Sequence, residues 1–142
     1  VLDELGLLDA VQLYAQGLTG RSPIVCNVRA SRTLDAINSQ AATALYRITA
    51  EALTNVLRHA EATEVDVNFD ERSGSVEATI ADNGKGIKQS EIDAVTSLGI
   101  GGMRERAEML GGALEITRRP EGGTLVKATI PARHAPKETI SK

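Results

Sequence analysis

The strongest constraint on this chain is a pair of alternating segments. Val65, Val67 and Phe69 alternate with polar residues, and beyond a turn at residues 70–74, Val76, Ala78 and Ile80 do the same. A period of two puts one face of each segment in a core and the other in water, so the two runs are expected to pair as antiparallel strands. A second such pair closes the chain: residues 114–117 and 124–130 flank a turn at 119–123. With helical segments between them, these hairpins predict an α+β fold in which one mixed sheet carries its helices on one face.

The helical segments have a different period. Leu7, Leu8, Val11, Tyr14 and Leu18 recur at helical spacing, with Asp3 as a candidate cap and Gly20 as a stop. Residues 24–28 read as a short strand, and residues 39–60 as a long helix whose apolar face holds Leu45, Ile48, Ala52, Leu53, Val56, Leu57 and Ala60. A weak polar helix is expected at 89–95, and another runs from the glycines at 99–102 to Gly111 and Gly112. One domain is expected over residues 1–131, with a polar tail at 132–142 too poor in apolar residues to pack.

Composition excludes several functions. A net charge of −3 on 142 residues creates no field that would gather nucleic acid or an anionic membrane. Cys26, the only cysteine, has no disulfide partner and reads as a small buried hydrophobe in a reducing compartment. With one Phe, two Tyr and no Trp, the core must be built from Leu, Ile, Val and Ala. No run is long and apolar enough to cross a bilayer, and no signal peptide precedes the first helix. The chain opens without Met inside a helical pattern, so it is expected to be a piece of something longer.

Three places carry chemistry. On the long helix, Glu51, Asn55 and Arg58 gather at one rim of the apolar face. A carboxylate, a carboxamide oxygen and a cation can position Mg²⁺ and phosphate; they also make an ordinary solvated hydrogen-bond ladder. His59 reads as a helix-end cap or an edge residue, adjacent to any site.

Asp82-Asn83-Gly84-Lys85-Gly86 follows a strand whose alternation buries Asp82, and a buried carboxylate needs a donor. The exocyclic amine of adenine is such a donor, whereas guanine presents an acceptor there, so Asp82 would select ATP over GTP. A type I′ turn at Asn83-Gly84 is the competing reading.

Gly99-Ile100-Gly101-Gly102-Met103 opens a helix and exposes backbone N–H groups to an anion. It is neither a P-loop nor a dinucleotide fingerprint. Arg104 and Arg106 either add charge to a phosphate or sit on the helix surface. Gly122-Gly123-Thr124 reads as a hairpin turn or as space and a hydroxyl near a base.

Taken in order, residues 51–60, 82–86, 99–106 and 122–124 resemble the N, G1, G2 and G3 boxes of the GHKL ATPase superfamily, and within it the histidine kinases of the nitrate-sensor class. Residues 2–7 look like the segment that follows the dimerisation helices in that class, so the resemblance covers nearly the whole chain. It implies a Bergerat-type two-layer α/β sandwich with a mostly antiparallel mixed sheet. It further implies Asn55 as a Mg²⁺ ligand, Asp82 on the adenine amine, Gly84, Gly86, Gly99 and Gly101 shaping the pocket, and Glu51 acting on the incoming imidazole as base or orienting group. Arg58, His59, Lys85, Ile100, Gly102, Met103, Arg104 and Thr124 complete the expected ATP contacts.

Two departures stand out. A phenylalanine-containing box between G1 and G2 is absent, since Phe69 lies upstream, so the lid at residues 87–98 is short. Neither His59 nor His134 lies in a phosphoacceptor context.

The expected activity is therefore γ-phosphoryl transfer from Mg-ATP to a histidine on a separate dimerisation domain, then to a response regulator, by a cytoplasmic, monomeric catalytic domain. A GHKL serine kinase of the anti-sigma-factor type and a non-catalytic nucleotide sensor are the alternatives.

Overall fold

The computed structural model describes residues 2–20, 23–30, 37–88, 90 and 99–131. In chain order these form α1 (Leu2–Thr19), β1 (Val25–Ala30), α2 (Ser39–Asn55) continued by a π turn (Val56–Ala60), β2 (Glu64–Arg72), β3 (Ser75–Asp82), α3 (Ile100–Met109), β4 (Ala113–Arg118) and β5 (Thr124–Pro131). The sheet runs β1-β2-β3-β5-β4. Only β1 and β2 are parallel; the other neighbours are antiparallel.

Both expected hairpins are present. The first is tighter than its sequence implied, because pairing continues to Arg72↔Ser75 and leaves a two-residue turn. Ser73 and Gly74 both take positive φ, 51° and 85°. That backbone twist matches the right-handed twist of the flanking strands.

Val65, Val67, Phe69, Val76, Ala78 and Ile80 are buried, and α1 and α2 cover the same side of the sheet. Leu45, Ile48, Ala52 and Leu53 supply the helix side of this core. Phe69, fully buried, stands at its centre, and truncating such a side chain to alanine costs roughly 3–5 kcal/mol. Cys26 pairs in register with Val65 and is only half-buried; burial, and Asp66 beside it, push its thiol up.

Asn38 caps α2, its Oδ1 accepting from Ala41 N–H at 2.8 Å. The final five residues of the predicted helix open into the π turn, closed by Glu61 in a left-handed conformation. α1 departs further from expectation. The helix already starts at Leu2, so Asp3 is not its cap, and Gly6 interrupts it at φ 80°, ψ 167°. Leu7 and Val11, beyond that break, are buried.

α3 ends as expected: Gly111 N–H donates to Glu108 O at 3.0 Å and Gly112 N–H to Ala107 O at 2.9 Å, a pattern that needs the positive φ of Gly111. Apart from residue 90, the helix expected at 89–95 lies outside the described residues, as does the tail at 132–142 with His134. No helix among the described residues is long and apolar enough to cross a membrane.

Candidate nucleotide site

Strand register lays down the floor of a cleft. Ile80, Val126 and Ile116 fall in one row across β3, β5 and β4 and face α2 and α3. Ala52 and Val56 from α2 and its π turn, Ile87 from the following loop, and Ile100 and Met103 from α3 close the apolar walls. The cleft holds about 560 Å³ of non-protein space, partly open to solvent, and its polar lining is Asn55, His59, Asp82, Lys85 and Thr124, with Gly86 at the edge. A mostly apolar cleft with a few convergent polar groups suits a planar base carrying a polar edge.

Asp82 ends β3 and is 3% exposed. Its Oδ1 accepts the Gly84 N–H at 2.8 Å. Burial pushes the carboxyl above the ordinary aspartate range, while backbone N–H groups of Gly84 and Thr124 and the charge of Arg119 draw it back.

Asn83 anchors the loop. Its Oδ1 accepts from Thr63 N–H at 2.9 Å and Glu64 N–H at 3.0 Å, and its Nδ2 donates to Thr63 Oγ1 at 2.9 Å. Gly84 is not among the positive-φ glycines, so the competing type I′ turn is not the one formed. The residue that does need glycine is Gly86, at φ 85°, where a Cβ would stand 3.2 Å from Gly123 O and 3.3 Å from the Arg118 guanidinium.

The opposite end is built by α3. Gly99 starts it at φ 68° with no side-chain cap on the first N–H groups. A Cβ on Gly99 would stand 2.5 Å from Glu51 Oε2, so the Glu51 carboxylate lies directly against this helix start. Gly101 and Gly102 form the first turn behind it.

The structure thus brings Asn55, His59, Asp82, Lys85, Gly86, Ile100, Met103 and Thr124 to one cleft, with Glu51 and Gly99 touching at its α3 end. His59 reaches the cleft wall, beyond the edge position its sequence context gave it. Arg58 is exposed on the π turn and is not part of the lining, nor is Arg104. Arg106 Nη1 bonds back to Gly102 O at 3.4 Å, a helix-surface position.

Thr124 Oγ1 accepts the Ile87 N–H at 2.8 Å, so its hydroxyl fastens the loop as well as lining the cleft. Sequence reasoning missed Arg118 and Arg119, whose signal was an arginine pair entering the β4–β5 turn. Residues 89 and 91–98 of the expected lid lie outside the described residues.

An apolar cleft with a few polar groups lies between the sheet and the start of α3, and comparison with known proteins gives the family of this sandwich. Residues 40–134 match the histidine kinase-, DNA gyrase B-, and HSP90-like ATPase family. The signal transduction histidine-protein kinase/phosphatase DegS of Brevibacillus brevis is 34% identical over 130 residues, 92% of this chain and 33% of that protein. The oxygen sensor histidine kinase NreB of Staphylococcus carnosus is 31% identical over 130 residues, 92% of this chain and 38% of that protein. Among solved structures, the blue-light activated histidine kinase of Erythrobacter litoralis EL346 superposes with a TM-score of 0.74 at 29% identity, covering 88% of this chain and 41% of that one.

This chain belongs to the histidine kinase-, DNA gyrase B-, and HSP90-like ATPase family, the one its four boxes resemble. It spans roughly a third of the length of the two curated relatives. The two-layer sandwich with a mixed sheet, expected from the resemblance, is the fold observed.

Proposed function

We propose that the chain is the ATP-binding catalytic domain of a two-component sensor histidine kinase. It takes Mg-ATP into the cleft and transfers the γ-phosphoryl group to a histidine on the parent kinase's dimerisation domain, for relay to a response regulator. A cytoplasmic location and a monomeric isolated domain belong to the same reading. The observation that carries it is the meeting of Asp82 and Asn55 in one apolar cleft.

In this reading the Asp82 carboxylate, held by Gly84 N–H, accepts from the adenine amine. The row Ile80, Val126 and Ile116 supports the ring. N–H groups at the start of α3 hold phosphate oxygens, where a helix N-terminus favours negative charge, and Lys85 adds a cation at the rim. Arg58 and Arg104 enter as phosphate contacts on the resemblance alone.

The donor set fits Mg²⁺. Among the described residues no three His, Cys, Asp or Glu side chains cluster into a cage, and Mg²⁺ keeps waters and phosphate oxygens beside one or two protein ligands, a place Asn55 can fill. When bound, the ion neutralises phosphate charge. Glu51, against Gly99, takes the proton of the attacking imidazole or orients the ring as the bond from nitrogen to the γ-phosphorus forms and the bond from that phosphorus to the bridging oxygen breaks, the oxygen leaving with ADP. Positioning and electrostatics are the main demands of such a transfer.

Calorimetric titration with a non-hydrolysable ATP analogue and Mg²⁺, on the native chain and on Asp82→Asn, tests this. Gly84 N–H would hold the asparagine oxygen, turning its NH₂ toward the adenine amine, so donor meets donor and most of the affinity is lost. Equal affinity in both proteins rejects the reading. With the parent dimerisation domain added, the phosphorylated product should be acid-labile, as phosphohistidine is; an acid-stable product points to the serine kinase.

A further inference from the structure

The turn between β4 and β5 carries a task that the boxes do not assign. Pairing of β3 with β5 stops at Ala81↔Leu125, so the register with β5 does not extend to Asp82. Arg119 Nη1 donates to Asp82 O at 2.6 Å. The N–H on the other side of the same peptide, that of Asn83, donates to Glu64 O at 3.2 Å.

The peptide plane after Asp82 is therefore pinned from both sides. Arg119 is itself fixed: its Nη2 donates to Glu121 Oε2 at 3.0 Å, its backbone N–H to Gly123 O at 2.9 Å, and its carbonyl accepts from Gly122 N–H at 3.1 Å. Gly123, at φ 99°, packs so closely on Asp82 O that no Cβ fits between them.

We propose that Arg119 is a positioning residue for adenine recognition, holding the Asp82–Asn83 peptide so that the Asp82 carboxylate meets the exocyclic amine of the base. A planar guanidinium with one arm on a carbonyl and another on a carboxylate suits this better than a flexible ammonium. The inference rests on the nucleotide reading of Asp82 and adds a residue that never touches the ligand.

The test compares two Mg²⁺-bound probes by calorimetry: a non-hydrolysable ATP analogue and the matching purine-riboside triphosphate analogue, which lacks the exocyclic amine. The native chain should prefer the adenine probe. Arg119→Gln should weaken the adenine probe roughly tenfold, the scale of a lost charged hydrogen bond, while changing the purine probe less than about twofold.

Arg119→Lys should recover part of the lost preference. Should Arg119→Gln show no cooperative melt, the lysine variant alone carries the comparison, with a weakened adenine preference and unchanged purine binding expected. Equal weakening of both probes would make Arg119 merely structural and overturn the proposal, as would no change in either. A native chain that does not distinguish the probes rejects the reading of Asp82 itself, and the inference falls with it.

Discussion

The hydroxyls of Tyr14 and Thr54 meet at 2.8 Å, tying α1 to the turn of α2 that ends at Asn55. Thr54 Oγ1 also bonds to Ala50 O at 2.9 Å, and the Tyr14 ring packs edge-on against Tyr46 at 6.1 Å between centroids. Tyr14→Phe keeps the ring contact and removes only the hydroxyl pairing. We expect a loss of about 1 kcal/mol of stability in urea unfolding, with nucleotide affinity unchanged because Asn55 stays packed on the cleft wall.

Gly99→Ala is expected to harm the site more than the fold. The new methyl would have to sit on a left-handed backbone that side chains rarely adopt, and it meets the Glu51 carboxylate. Strain of this kind costs about 1–3 kcal/mol, and relief requires Glu51 or the start of α3 to move. Thermal melting should fall by several degrees, at about 2–4 °C per kcal/mol for a chain of this size, and affinity for the triphosphate should drop more than affinity for the nucleoside.

Asp82 sets function against stability. Its folded carboxyl lies above the unfolded range, chiefly through burial. For such a group the folded state is favoured below the unfolded aspartate value, and stability is lost as pH rises toward the folded value. Asp82→Asn should therefore melt higher than the native chain at neutral pH while losing adenine binding. The difference should shrink as pH falls through the ordinary aspartate range. A variant that melts lower at neutral pH and higher in acid contradicts this sign.

Much of the fold was legible because its periods are clean. Val65–Phe69 and Val76–Ile80 each alternate cleanly, and Leu45 to Val56 keep one helical face, so sheet and helix could be placed from spacing alone. The Gly6 break and the π turn were not legible: a glycine inside a helical pattern is ordinary, and an i→i+5 turn has no residue signature.

Asp82 stood out because alternation put a carboxylate where burial was due. Arg119 did not, since its partner is a backbone carbonyl beyond the point where β5 stops pairing. Arg58, which helical spacing grouped with Glu51 and Asn55, lies exposed on the π turn, outside the lining of the cleft.

The π turn at Val56–Ala60 also separates two fittings that would otherwise interfere. The seating of α2 on the sheet is dictated by Leu45, Ile48 and Leu53, and the start of β2 is locked by the step Val25↔Glu64. A wider coil between them takes up one residue of slack, so the length of chain joining helix to strand need not match the separation that packing imposes. Removing one residue from this stretch would draw the end of α2 toward β2 and shift Asn55 relative to Asp82, leaving the mouth of the cleft misaligned.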